Sequence, residues 1–120
     1  MDFFKHSFME LAGWRDIEKY LSDGISPVCA TGLSHIHKAQ LLYTLSGKTG
    51  FLVVTDSEAE AKRLCDNINT MAQSSRLAML YPAREIFLTS AEGMSRDYEH
   101  QRIEALSAVL SGECRVLAAS

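Results

Sequence analysis

The stretch Val28-Cys29-Ala30-Thr31-Gly32-Leu33-Ser34-His35-Ile36-His37-Lys38-Ala39-Gln40 has the layout of a strand, a turn and the start of a helix. Phosphate-binding loops stand at such places, because the unpaired N–H groups of a helix start attract anions. A working loop is written G-x-x-x-x-G-K-[ST]; here Gly32 is followed by four residues and then by His37-Lys38-Ala39. Whether the chain holds a nucleotide site or only the shell of one turns on these residues.

Two positions carry the wrong chemistry. The second glycine of the motif lets the loop wrap phosphate closely, and His37 puts a β-carbon and a ring there. Where a left-handed angle is required, a non-glycine residue costs about 1–2 kcal/mol. The hydroxyl after the lysine ligates Mg²⁺ in working loops; Ala39 has none. Lys38 alone keeps its charge. Thr31, Gly32, His37, Lys38 and Ala39 therefore read as a vestigial phosphate loop. No bound cofactor, no metal and no catalytic residue is expected.

Other motifs lead no further. Gly47-Lys48-Thr49 spells the end of a phosphate loop, but its partner glycine would stand at position 42, which is Leu42. It also follows a helix and precedes a strand, the reverse of the required order, so it reads as a turn with Gly47 as the helix stop. Asp56 follows a strand, where a metal-holding acid would sit, yet it adjoins the helix start at Ser57. His35 and His37 lack the Cys, Asp or Glu partners of a metal set. Ser34 beside His35 has no carboxylate to orient the ring, and Glu92 and Asp97 do not read as a catalytic pair. His100, Gln101 and Arg102 with Glu99 and Glu104 read as a solvated helix face, Arg102 being free to dock a partner carboxylate. Trp14 reads as core.

Outward from the loop, four apolar runs punctuate the chain: Val28-Cys29-Ala30, Phe51-Leu52-Val53-Val54, Leu77-Ala78-Met79-Leu80 and Val116-Leu117-Ala118-Ala119. They are continuous rather than alternating, as in parallel strands covered on both faces. Helical patterns separate them. One runs from about His37 to Leu45. The next opens on a capping box, Ser57-Glu58-Ala59-Glu60, and buries Ala61, Leu64, Cys65, Ile68 and Met71. The last starts near Ser95, buries Tyr98, Ile103, Leu106 and Leu110, and stops at Gly112. The stretch between Tyr81 and Ser95 is loop-like. Alternation of strand and helix predicts an α/β fold: a partial sheet of the P-loop NTPase and helicase type over residues 27–120, flanked by helices. Residues 1–26 form an amino-terminal helical segment packing on it. Phe4, Phe8 and Leu11 make one face, and Ile17, Tyr20 and Leu21 another, after a break at Gly13-Trp14. The aromatic stretch Phe3 to Trp14 is expected to be loosely held where its natural partner is missing.

Composition agrees with a single globular domain. The net charge of −3 leaves no overall basic footprint for a nucleic-acid backbone. The apolar runs are too short to cross a bilayer, and no membrane partner is expected. The three cysteines, Cys29, Cys65 and Cys114, show no C-x-x-C spacing and read as buried, reduced thiols of a cytoplasmic protein.

The succession of Val28-Cys29-Ala30-Thr31-Gly32-Leu33, Lys38-Ala39, Phe51-Leu52-Val53-Val54-Thr55, Tyr81-Pro82-Ala83-Arg84-Glu85 and Gln101-Arg102-Ile103-Glu104-Ala105-Leu106 resembles the start of bacterial transcription-repair coupling factor over about residues 25–120. The resemblance implies a module similar to excinuclease component B, a helicase-type protein, with its nucleotide site decayed. It also implies a parent that is an ATP-dependent DNA translocase, which displaces stalled RNA polymerase and recruits nucleotide excision repair. ATP and Mg²⁺ would serve distant motor domains. Excinuclease component A would be met mainly through an adjoining subdomain, and RNA polymerase and double-stranded DNA through other domains. This chain would be a scaffold-like piece, and its stop at Ser120, at the end of an apolar strand, is what an excised domain would show. Glu85 and Arg102 match positions typical of the family, without an assigned role. Two other readings stand beside this one: a nucleotide-binding fragment of the helicase-type excinuclease component B, and a flavodoxin-like or receiver-like module resting on the alternating pattern alone.

Overall fold

The computed structural model describes residues 2–83 and 92–120. In chain order the elements are α1 (Phe3–Met9), α2 (Ala12–Ser22), α3 (His35–Leu45), β1 (Phe51–Val54), α4 (Glu58–Ala72), β2 (Ala78–Leu80), α5 (Glu92–Ser111) and β3 (Val116–Ala119). The strands form one parallel sheet in the order β1-β3-β2. The fold is α/β.

The apolar run Val28-Cys29-Ala30 is not a strand. It is irregular backbone, with Val28 half-buried and Cys29 and Ala30 exposed. A strand needs a neighbour to complete its ladder and a surface to cover it, and neither propensity nor apolarity supplies them. Pro27 also removes a backbone donor at its start.

One core lies between the sheet and the pair α3 and α4. Ala39 and Tyr43 of α3, Ala61, Cys65, Ile68 and Met71 of α4, and Ala78, Val116 and Ala118 of the strands share it, with Leu64 packed against them. The stripe read from the spacing of α4 is therefore the stripe that is buried. Each fully buried aliphatic such as Ile68 contributes about 1.5–3 kcal/mol.

Register places Leu52, Leu117 and Met79 side by side on the other face. Cover there is uneven: Leu117 and Met79 are half-buried, whereas Leu52 is 69% and Val54 74% exposed. The right-handed rule for crossovers, applied to this strand order, puts α5 on the face opposite α4. Helix α5 is held by Arg76, which pairs with Glu104 at 3.5 Å and Glu113 at 2.8 Å. It starts at Glu92, ahead of Ser95, and ends before Gly112, whose φ of +85° suits glycine. Its buried positions differ from the expected ones. Ala105 and Ala108 are buried and Tyr98 is half-buried, while Ile103 (65%), Leu106 (45%) and Leu110 (89%) are exposed. Small side chains make the close contact, and the large ones face outward.

At the amino terminus the break falls at Glu10-Leu11, and Gly13 and Trp14 lie inside α2. Phe8 and Trp14 meet edge to face, centroids 5.9 Å apart, and pack on Leu45, Leu41 and Phe51. Of the two predicted faces only Phe8 is buried; Ile17 is half-buried, and Phe4, Leu11, Tyr20 and Leu21 are exposed. Gln40 Nε2 donates to Phe4 O at 2.8 Å and to Ser7 Oγ at 3.1 Å. Lys5 Nζ stands 4.7 Å from the Tyr43 ring centroid.

Candidate functional site

The loop opens with Thr31 and Gly32, both exposed. Gly32 has φ +77°, and a β-carbon added there would meet nothing within 4 Å. Glycine therefore serves the backbone angle here, and no neighbouring group approaches it closely. Ser34 then caps α3, so the helix starts at His35, two residues before the expected start at His37. The Ser34 hydroxyl accepts from His37 N at 3.3 Å, and the Ser34 carbonyl accepts from Lys38 N at 2.9 Å. The first-turn amide of His37 is thus already satisfied by the chain itself.

The five residues read as a phosphate loop differ in their surroundings. His37 sits in the first turn of α3 with an ordinary helical backbone and its side chain exposed. Left-handed strain does not arise at this position. Lys38 is exposed, and Ala39, one residue on, has no exposed surface and belongs to the core. It shares that core with Ala61 of α4, also fully buried. Position 39 thus lies in the core shared by α3, α4 and the sheet and does not line the cleft.

A cleft of about 470 Å³ opens beside this turn, at the carboxyl end of β1. Ligands of parallel α/β sheets collect at such ends. His35 and Lys38 of α3 face Glu60 and Arg63 of α4 across it, with Leu42 and Val53 contributing apolar walls. Glu60 is the hub. Its carboxylate lies 3.3 Å from His35 Nδ1 and 4.0 Å from Arg63. Only half of the predicted capping box is made: Ser57 Oγ accepts from Glu60 N at 3.2 Å, while the Glu60 carboxylate turns to His35 and Arg63. Asp56 lines the cleft just ahead of the Ser57 cap. Thr55 hydroxyl is used internally, donating to Ser57 O at 2.7 Å. Among the described residues no group of three or more His, Cys, Asp or Glu is placed to hold a metal ion.

The second motif has a structural task. Lys48 and Thr49 follow α3 in a turn, both donating backbone N–H to Leu45 O. The Lys48 ammonium pairs with Glu18 of α2 and stands 5.8 Å from the Trp14 ring centroid. Hydrogen bonding to Lys48 and its charge hold the Glu18 carboxyl below the usual carboxylate range. This lysine links α2 to the turn after α3 through an exposed pair.

Arg102 is likewise used within the chain. Its Nε donates to Pro82 O at 2.8 Å, and its guanidinium lies 5.2 Å from the Tyr81 ring centroid. It fastens α5 to the exit of β2 and is not free to dock a partner through that nitrogen. Glu85 lies outside the described residues.

Of the cysteines, Cys65 and Cys114 are buried and Cys29 is exposed, which corrects the expectation of three buried thiols. Burial, followed by the neighbouring Cys114 and Asp66, pushes the Cys65 thiol up to about 12. Burial also raises Cys114. No helix among the described residues is long and apolar enough to cross a membrane.

Several polar residues that organise the molecule carried no motif. Asn69 of α4 is the clearest: its amide donates to Ala78 O at 2.8 Å and accepts from Ala78 N at 2.9 Å. It thereby stands in for a strand along the outer edge of β2. Ser34 is of a residue type that favours helix caps, and that local signal marks the true start of α3.

Comparison with known proteins finds no match to the chain, among family models, curated proteins or solved structures.

Proposed function

We propose that the chain is a non-catalytic scaffold and interaction module of a bacterial transcription-repair coupling factor, with a phosphate loop that no longer serves nucleotide. The sheet is then part of a P-loop NTPase and helicase-like domain similar to excinuclease component B. The observation that carries the reading is the state of α3: Ala39 is sealed in the core and the His37 amide is capped by Ser34. A magnesium-ligating hydroxyl has no place at a position that lies in the core, and a capped amide is not offered to phosphate.

The second support is β1. A parallel strand is normally covered on both faces, yet Leu52 and Val54 are bare. A module within a larger protein has neighbours to cover them. In this reading the parent's motor domains bind ATP and Mg²⁺, displace RNA polymerase and engage double-stranded DNA. Excinuclease component A is recruited through an adjoining subdomain, and the protein works in the cytoplasm.

Calorimetric titration of the chain with ATP and Mg²⁺ tests the proposal. No heat of specific binding is expected. Micromolar affinity that Lys38→Ala abolished would overturn it in favour of a nucleotide-binding helicase fragment.

A further inference from the structure

We draw no further inference here: the strongest candidate, the bare apolar sheet face at Leu52 and Val54 of β1, carries nothing because nothing in the structure shows what covers it.

Discussion

At position 39 a methyl group packs into the core against α4, and the neighbouring Lys38 ammonium stands at the rim of an open cleft. One step along a helix turns the chain by about 100°, since 3.6 residues complete a turn. Ala39 is fully buried beside the exposed Lys38, so an oxygen at position 39 would sit in the core. A substitution there separates a damaged motif from a lost site. Ala39→Thr overfills the contact between α3 and α4 and should destabilise the chain by about 1–3 kcal/mol. Urea unfolding would read this as a lower midpoint, and calorimetry should show no gain of nucleotide binding. A stable variant that binds ATP would refute the role given to this residue. The thiols give a second residue-scale outcome. At pH 8 Cys65 and Cys114 are protonated and buried, so native alkylation should modify Cys29 alone, with all three reacting in denaturant. Mass spectrometry counts the adducts, and rapid labelling of Cys65 in the native chain would contradict the packing. The departures of residues 37 and 39 from the motif stand in the sequence itself. The reason position 39 is small does not, because the helix it packs against lies some twenty residues away in the chain.

Among the elements, α4 was legible and α5 was not, for one physical reason. In α4 the apolar residues at helical spacing are also the ones packed in the core, so periodicity and packing coincide. In α5 the contact is made by Ala105 and Ala108, so a stripe drawn through the large residues is displaced around the helix. The run Val28-Cys29-Ala30 failed differently: strand identity depends on pairing, which local composition does not specify. The edge of β2 supplies a prediction here. Asn69→Ala removes both side-chain bonds to Ala78 and leaves its N–H and C=O unpaired, at a cost of about 1–3 kcal/mol. An unchanged melting temperature would show that water replaces the side chain without penalty. The attachment of α2 should depend on pH. The Glu18 carboxyl is lowered in the folded chain, so its stabilising effect is present above the unfolded carboxylate range and is lost as pH falls through its depressed folded value. Glu18→Gln should therefore increase amide exchange in α2 at neutral pH, with the difference from the parent chain vanishing in strong acid. Added salt should shrink the same difference, since the pair is exposed. Equal exchange at neutral pH would remove Lys48 from its assigned task.

For the whole molecule, the α/β class followed from the alternation of apolar runs and helical patterns, and three of the four expected strands form the sheet. The strand order was hidden, because β3 is the last element in the chain yet lies between β1 and β2. Uneven burial was hidden for the same reason: Leu52 and Leu117 are alike in sequence, and only the central place of β3 separates them. The loop motif and its departures stand within one local stretch of the chain, whereas the cleft beside it was hidden, since Glu60, Arg63 and Asn67 of its lining come from α4. The central claim is that α3 begins as a self-capped helix that offers nucleotide nothing to wrap. Amide NMR of the ¹⁵N-labelled chain, titrated with ATP and Mg²⁺ to millimolar concentration, tests it at the residues concerned. Resonances of Gly32 through Ala39 are predicted to hold their positions, whereas saturable, magnesium-dependent shifts centred on His37, Lys38 and Ala39 would contradict the claim.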